Sequence, residues 1–216
     1  PDKRVLKINR AGFPVSIEGM KQLRAKVEEE IQGNGKILLV FAGSLPANLT
    51  PESYKAFLLS FRREGVCFAL DNSFFHLSDI AEIRPFLIKP NLLEFRQMSG
   101  SDLRTEQSII KFARVLANSV THVLVSLGGK GLLYVGSGGG TRVIPTPVEV
   151  RSTIGAGDTT LASFVYALEQ GRDPKDAALF AAAAGTASVT LDGTAVVSGS
   201  LVEATIPSMM VKPVKV

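Results

Sequence analysis

The chain has 216 residues, is 45% hydrophobic and 20% charged, and carries a net charge of +4 with a pI of about 9.3. That is enough chain for one α/β domain with a sizeable core. The mild positive balance suits phosphorylated small molecules, and without a basic run interleaved with aromatics no nucleic-acid partner is expected. One cysteine and two histidines exclude a disulfide framework and a Cys/His zinc cluster, and no apolar run approaches the ~20 residues that span a bilayer.

In chain order, Arg4-Val-Leu-Lys-Ile8 alternates and Phe13-Pro-Val-Ser-Ile17 reads as a second short strand, a pair resembling an edge hairpin or flap. Lys36-Ile-Leu-Leu-Val-Phe41 is a continuous apolar run that predicts a buried strand opening into Gly43-Ser44-Leu-Pro46. Thr50 then caps a helix with Pro51 at its first position and Tyr54, Phe57, Leu58 and Phe61 on one face. Val66-Cys-Phe-Ala-Leu70 predicts the next buried strand, ending at Asp71. Cys67 is expected to be a buried thiol of a reducing, cytoplasmic setting. Phe86–Lys89 is a third strand, a helix starts near Thr105, and His122–Ser126 is a fourth strand. A glycine turn leads to a return strand, Leu132–Val135, a turn over 136–140 and a short strand over 142–145. Helices over roughly 157–170, 174–190 and 200–206 complete the reading.

Buried strands alternating with helices predict an α/β fold: a doubly wound, mostly parallel sheet with helices on both faces. Ligands of such sheets bind beyond the strands' carboxyl ends. Gly43-Ser44, Asp71, Lys89–Asn91 and Ser126–Gly128 are all placed there.

The most informative stretch is Thr153-Ile-Gly-Ala-Gly-Asp-Thr-Thr160, a glycine turn running into a helix. Amides at a helix start lack internal partners and sit at the positive end of the dipole, a place for a phosphate or oxyanion. A carboxylate beside them, Asp158, could take a proton from an attacking alcohol, or could simply cap the helix. In Lys89-Pro-Asn91-Leu-Leu-Glu94 the carboxylate could hold a water on Mg²⁺, or Asn91 and Glu94 could form a capping box. Ser126-Leu-Gly-Gly-Lys-Gly131 could lie against a nucleotide or be a hairpin. Ala181-Ala-Ala-Ala-Gly-Thr186 could approach adenine or another helix.

Taken in order, Gly43-Ser-Leu-Pro46, Lys89–Glu94, Ser126–Gly131 and Gly155-Ala-Gly-Asp158 resemble the ribokinase-like (PfkB) carbohydrate kinases over essentially the whole chain. The resemblance is narrowest to the 1-phosphofructokinase, tagatose-6-phosphate kinase and minor 6-phosphofructokinase branch, with the tail Asp192-Gly-Thr194 in support. It implies ATP-dependent phosphoryl transfer to a hexose phosphate. Asp158 would be the general base and the amides of Gly155, Ala156 and Gly157 the anion hole. It further implies Lys89 and Asn91 on the nucleotide phosphates, Glu94 organising hydrated Mg²⁺, Ser126, Gly128 and Gly131 along the nucleotide, and Ala182 and Thr186 beside adenine. Arg4 and Ser44 would touch the phosphorylated sugar. Ser152, Ile154, Ser188 and Gly193 match positions where some members bind a monovalent cation, K⁺. The family also suggests a homodimer formed through lid strands.

Several features depart from the family pattern. Members carry an N-terminal segment with the first sheet strands, a sugar-binding aspartate and a Gly-Gly-x-Gly-x-Asn motif, none of which occurs in residues 1–35. The expected division is a lid-strand remnant with a connecting helix over 1–35 and a nucleotide-binding domain over 36–216. The expectation is a fragment that turns over poorly alone. A catalytically crippled nucleotide-binding descendant and a kinase for another acceptor are the alternatives. Asp71-Asn-Ser-Phe74 lacks the usual glycine, and Ser163 stands where glycine is usual.

Overall fold

The computed structural model describes residues 12–32 and 35–215. Arg4 and the strand expected over Arg4–Asn9 lie outside the described residues. A seven-stranded sheet runs in sequence order: β1 (Ile37–Ala42), β2 (Val66–Asp71), β3 (Leu87–Ile88), β4 (His122–Ser126), β5 (Leu132–Gly136), β6 (Gly139–Pro145) and β7 (Met209–Val214). Strands β1–β4 pair in parallel, and β4–β7 continue the sheet antiparallel.

The helices divide between the two faces. On one lie α1 (Ile17–Ile31), α2 (Pro51–Leu59), α3 (Leu77–Ile83), α4 (Leu92–Ser99) and α5 (Glu106–Leu116). They bury Leu58, Phe61, Ile80, Ile83, Phe95 and Leu116 against Phe68, Leu70, Val123 and Val125. On the other lie α6 (Ala156–Glu169), α7 (Pro174–Ser188) and α8 (Gly199–Thr205), with Leu161, Phe164, Ala177 and Val202 against Leu87, Leu124, Tyr134 and Val143. The doubly wound α/β reading therefore holds.

Local chemistry sets the helix starts. Thr50 and Thr105 each accept from the amide three residues on, and Ser53 and Ser108 return the bond to the capping residue's amide. Three expectations need correcting. Phe13–Ile17 is not a strand: Ser16 accepts from the Gly19 amide and starts α1, leaving Phe13 91% and Ile17 80% exposed. The apolar alternation there faces no core among the described residues. Cys67 is exposed: on the α6–α8 face Ala69 of β2 is buried and Leu38 of β1 packs against that core, while Cys67 and half-exposed Val40 are left uncovered. The turn expected over 136–140 is tighter, since Gly136 pairs with Gly139 and only Ser137 and Gly138 lie between the strands.

One buried polar pair has a consequence for stability. His122 Nδ1 lies 3.1 Å from the Tyr134 hydroxyl, walled by the rings of Phe86 and Phe164. Burial holds the imidazole down to about 4, against roughly 6.5 in an unfolded chain. The unfolded state therefore binds the extra proton between those values, and stability falls as pH drops from about 6.5 through 4, by about 3 kcal/mol in all. Denaturant titrations at pH 7, 5 and 4 should give His122→Phe a shallower acid limb than the parent. Equal slopes would place the acid sensitivity elsewhere.

Candidate active site

The carboxyl ends of β1 to β4 are tied into one edge by backbone hydrogen bonds. The Gly43 amide donates to Asp71 O (3.0 Å), the Lys89 amide to Leu70 O (3.0 Å) and the Ser126 amide to Pro90 O (3.0 Å). The β2–β3 register, Leu70 opposite Ile88, brings the next residues, Asp71 and Lys89, side by side. Their side chains form an ion pair, Nζ to Oδ2 3.0 Å, with Lys89 5% and Asp71 15% exposed.

Residues Gly155 to Asp158 begin α6 at the same edge. Gly155 holds φ +79° as the residue preceding the helix, a left-handed conformation that a side chain would oppose. It makes no side-chain cap, so Asp158 is not the cap: it is the third helical residue and its side chain is exposed. The Gly157 and Asp158 amides lie in the first turn, where no carbonyl within the helix can reach them. A Cβ on Gly157 would stand 3.3 Å from Lys89 Nζ. The ammonium group of β3 therefore lies against the glycine turn of α6. The start of α6 is fixed from behind by α7, where Gly185 approaches so closely that a Cβ would lie within 2.4 Å of Thr160 Oγ1. That hydroxyl in turn donates to Ala156 O (2.8 Å).

Asn91 and Glu94 form the capping box of α4: Asn91 Oδ1 accepts from the Leu93 and Glu94 amides, and Glu94 Oε2 accepts from the Asn91 amide at 2.8 Å. The capping alternative is thus realised, and it fixes the Glu94 carboxylate at the mouth of the edge. Burial, the largest influence, raises the Asp71 carboxyl above its ordinary value. The Lys89 ammonium opposes this, and the Glu94 and Asp158 carboxylates add to it. Three carboxylates around one ammonium leave the edge net negative. A net negative edge whose carboxylates are partly engaged suits a hydrated divalent ion that keeps its waters, as Mg²⁺ does. Among the described residues no cluster of three or more His, Cys, Asp or Glu could hold a metal directly.

The remaining predicted residues fall as follows. Ser126 ends β4 and bridges to Asn91, and Gly128 lies in the 3₁₀ turn Gly128–Lys130, with Gly131 directly after it. Ser44 is exposed in the loop after β1. Farther along that loop, Asn48 exchanges two hydrogen bonds with Val15, accepting from its amide (2.9 Å) and donating to its carbonyl (2.7 Å). Ala182 is 6% exposed and Thr186 half-buried on α7, whose alanines pack on α6. Ile154 is 67% exposed, Ser188 is buried, and the Arg151 and Ser152 amides donate to Val189 O, bringing the 151–154 loop to the end of α7. Gly193 follows with φ +60°. Sequence reasoning placed Asp71 at a strand end without giving it a partner. The signal was there in two successive apolar runs ending in opposite charges.

Residues 19–198 match the family described as pfkB family carbohydrate kinase. A 1-phosphofructokinase of Borreliella burgdorferi is 34% identical over 152 residues, covering 69% of this chain and 49% of that protein. The ATP-dependent 6-phosphofructokinase isozyme 2 of Escherichia coli is 30% identical over 186 residues, covering 85% and 59%. A crystal structure of phosphofructokinase-2 from Escherichia coli in complex with substrates and products superposes with a TM-score of 0.84 at 28% identity, covering 92% of this chain and 64% of that one. The chain spans about half the length of the curated relatives it matches. No helix among the described residues is long and apolar enough to cross a membrane.

Proposed function

The chain belongs to the pfkB family of carbohydrate kinases, and on that premise we propose that it carries the nucleotide and phosphoryl-transfer half of an ATP-dependent hexose-phosphate kinase. The observation that carries the reading is the placing of Lys89 Nζ against Gly157, beside Asp158 and the open amides of α6. An anion held there meets backbone donors, a helix dipole and a buried ammonium together.

In this reading the amides of Gly155, Ala156 and Gly157 hold the transferred phosphoryl, and Asp158 accepts the proton of the attacking hydroxyl. Lys89 and Asn91 hold the nucleotide phosphates. Ser126, Gly128 and Gly131 follow the nucleotide, with Ala182 and Thr186 at the adenine. Glu94 would hold waters of Mg²⁺, which supplies charge neutralisation on the phosphates when bound. Backbone oxygens of Ser152, Ile154, Ser188 and Gly193 would take K⁺, and Ser44 with Arg4 the sugar phosphate. Positioning and fixed charge supply most of the acceleration.

Calorimetry with ADP and MgATP tests the nucleotide half, and a transfer assay with fructose 1-phosphate, fructose 6-phosphate and tagatose 6-phosphate tests the rest. Saturable nucleotide binding with slow transfer is the expected result. The absence of nucleotide binding would overturn the reading. Binding with no transfer to any acceptor would favour a nucleotide-binding descendant.

A further inference from the structure

Arg142 is a buried guanidinium that the proposed chemistry does not use. It lies on β6 opposite Leu133 and is 4% exposed. Its fork joins the turn between β4 and β5 to β6: Nη2 donates to Lys130 O, and Nη1 donates to Leu132 O (3.1 Å) and Val143 O (2.6 Å). Its Nε faces the Glu106 carboxylate at 3.8 Å.

Two of the three acceptors flank Gly131. That residue holds φ +91°, and a Cβ there would fall 2.2 Å from Val143 O, so the turn lies directly on the β6 backbone. From the other side the turn is closed by Leu127 N to Gly131 O (2.8 Å) and Gly131 N to Gly128 O (2.8 Å). Ser126, the residue that precedes it, is bridged to Asn91. Burying a charged guanidinium costs more than an apolar side chain of similar size unless its bonds are used. Here two of the three bonds go to the carbonyls on either side of Gly131 and the third to Val143 on β6, while Nε makes no hydrogen bond.

We propose that Arg142 is a positioning residue that fixes the 127–131 turn in the shape that receives the nucleotide. This rests on the nucleotide reading of the site given above. The planar fork reaches three carbonyls at once. A lysine would keep the charge and lose the fork, and a methionine would keep much of the bulk and lose both.

The test uses Arg142→Lys and Arg142→Met in the 216-residue chain, with ADP as the probe. Hydrogen exchange at the Leu127, Lys130 and Gly131 amides should quicken in Arg142→Lys while exchange in β4 and α6 stays as in the parent. ADP affinity should fall about tenfold at a temperature where the protein remains folded. A purely structural residue would lower Tm and leave the affinity of the folded protein unchanged, and that result overturns the assignment. Unaltered exchange in the turn overturns it as well. A parent chain that binds no ADP overturns the nucleotide reading and this assignment with it, whereas normal parent binding with an unaffected Arg142→Lys overturns this assignment alone. If Arg142→Met fails to fold, the lysine variant still decides.

Discussion

Asp158→Asn is expected to lower phosphoryl transfer by about 10²–10⁴-fold, whether the acceptor is a sugar-phosphate hydroxyl or water, with ADP affinity kept or improved. Asp158 stands at the third position of α6, exposed, with the preceding glycine rather than its own carboxylate at the cap position. Asparagine matches its shape and cannot take a proton. It also removes a negative charge beside the amides proposed to receive the phosphoryl, so binding should not suffer. Parallel calorimetry and transfer assays separate the two effects. Transfer kept within about tenfold of the parent would remove Asp158 from the role of base.

Lys89→Met is expected to destabilise the fold by about 3–5 kcal/mol, the usual result of breaking a buried ion pair from one side. Lys89 is 5% exposed and Asp71 15%, so neither charge can turn to bulk water. The variant leaves Asp71 facing the Glu94 and Asp158 carboxylates without compensation. The double variant Asp71→Asn/Lys89→Met should recover most of the loss, which urea titrations of all four proteins would measure.

The pH dependence follows in sign. Asp71 is raised by burial in the parent, and without the ammonium nothing holds it down as strongly. A carboxyl raised in the folded state binds its proton there before the unfolded chain does. Stability therefore falls as pH rises from the unfolded value through the raised one, and acidification restores it. The gap between the parent and Lys89→Met should narrow at low pH. A gap that widens would mean that Asp71 is not the group left stranded.

Much of this architecture can be read from the chain. Continuous apolar runs mark β1, β2 and β4, but only β4 is buried along nearly its whole length, and β1, expected to be buried, has no buried residue. Thr50, Thr105 and Asn91 mark helix starts because their side chains replace missing carbonyls. What escaped is tertiary. Strand β7 is not anticipated from the sequence: it contains Lys212 and Pro213 in a mostly exposed stretch, and among the described residues it lies at the end of the sheet, where proline is tolerated. α3 has seven residues and too little period to detect. The Asp71–Lys89 pair and the Arg142 clamp depend on strand register, which a single segment does not carry. The glycine turn, Asp158 and Lys89 were legible singly, and the fold supplies their meeting at one edge.

The outer edge of β1 has a colloidal meaning. Ile37-Leu-Leu-Val-Phe-Ala42 is six residues without charge, proline or glycine, and among the described residues it is the end strand of the sheet, with Val40 half-exposed. Segments of that composition stack in register into fibrils once their backbone is free to pair. The partial burial of Leu39 and Phe41 against the first core keeps the strand docked. Among the described residues, whether that edge is offered to another chain is set by how seldom β1 lets go of β2.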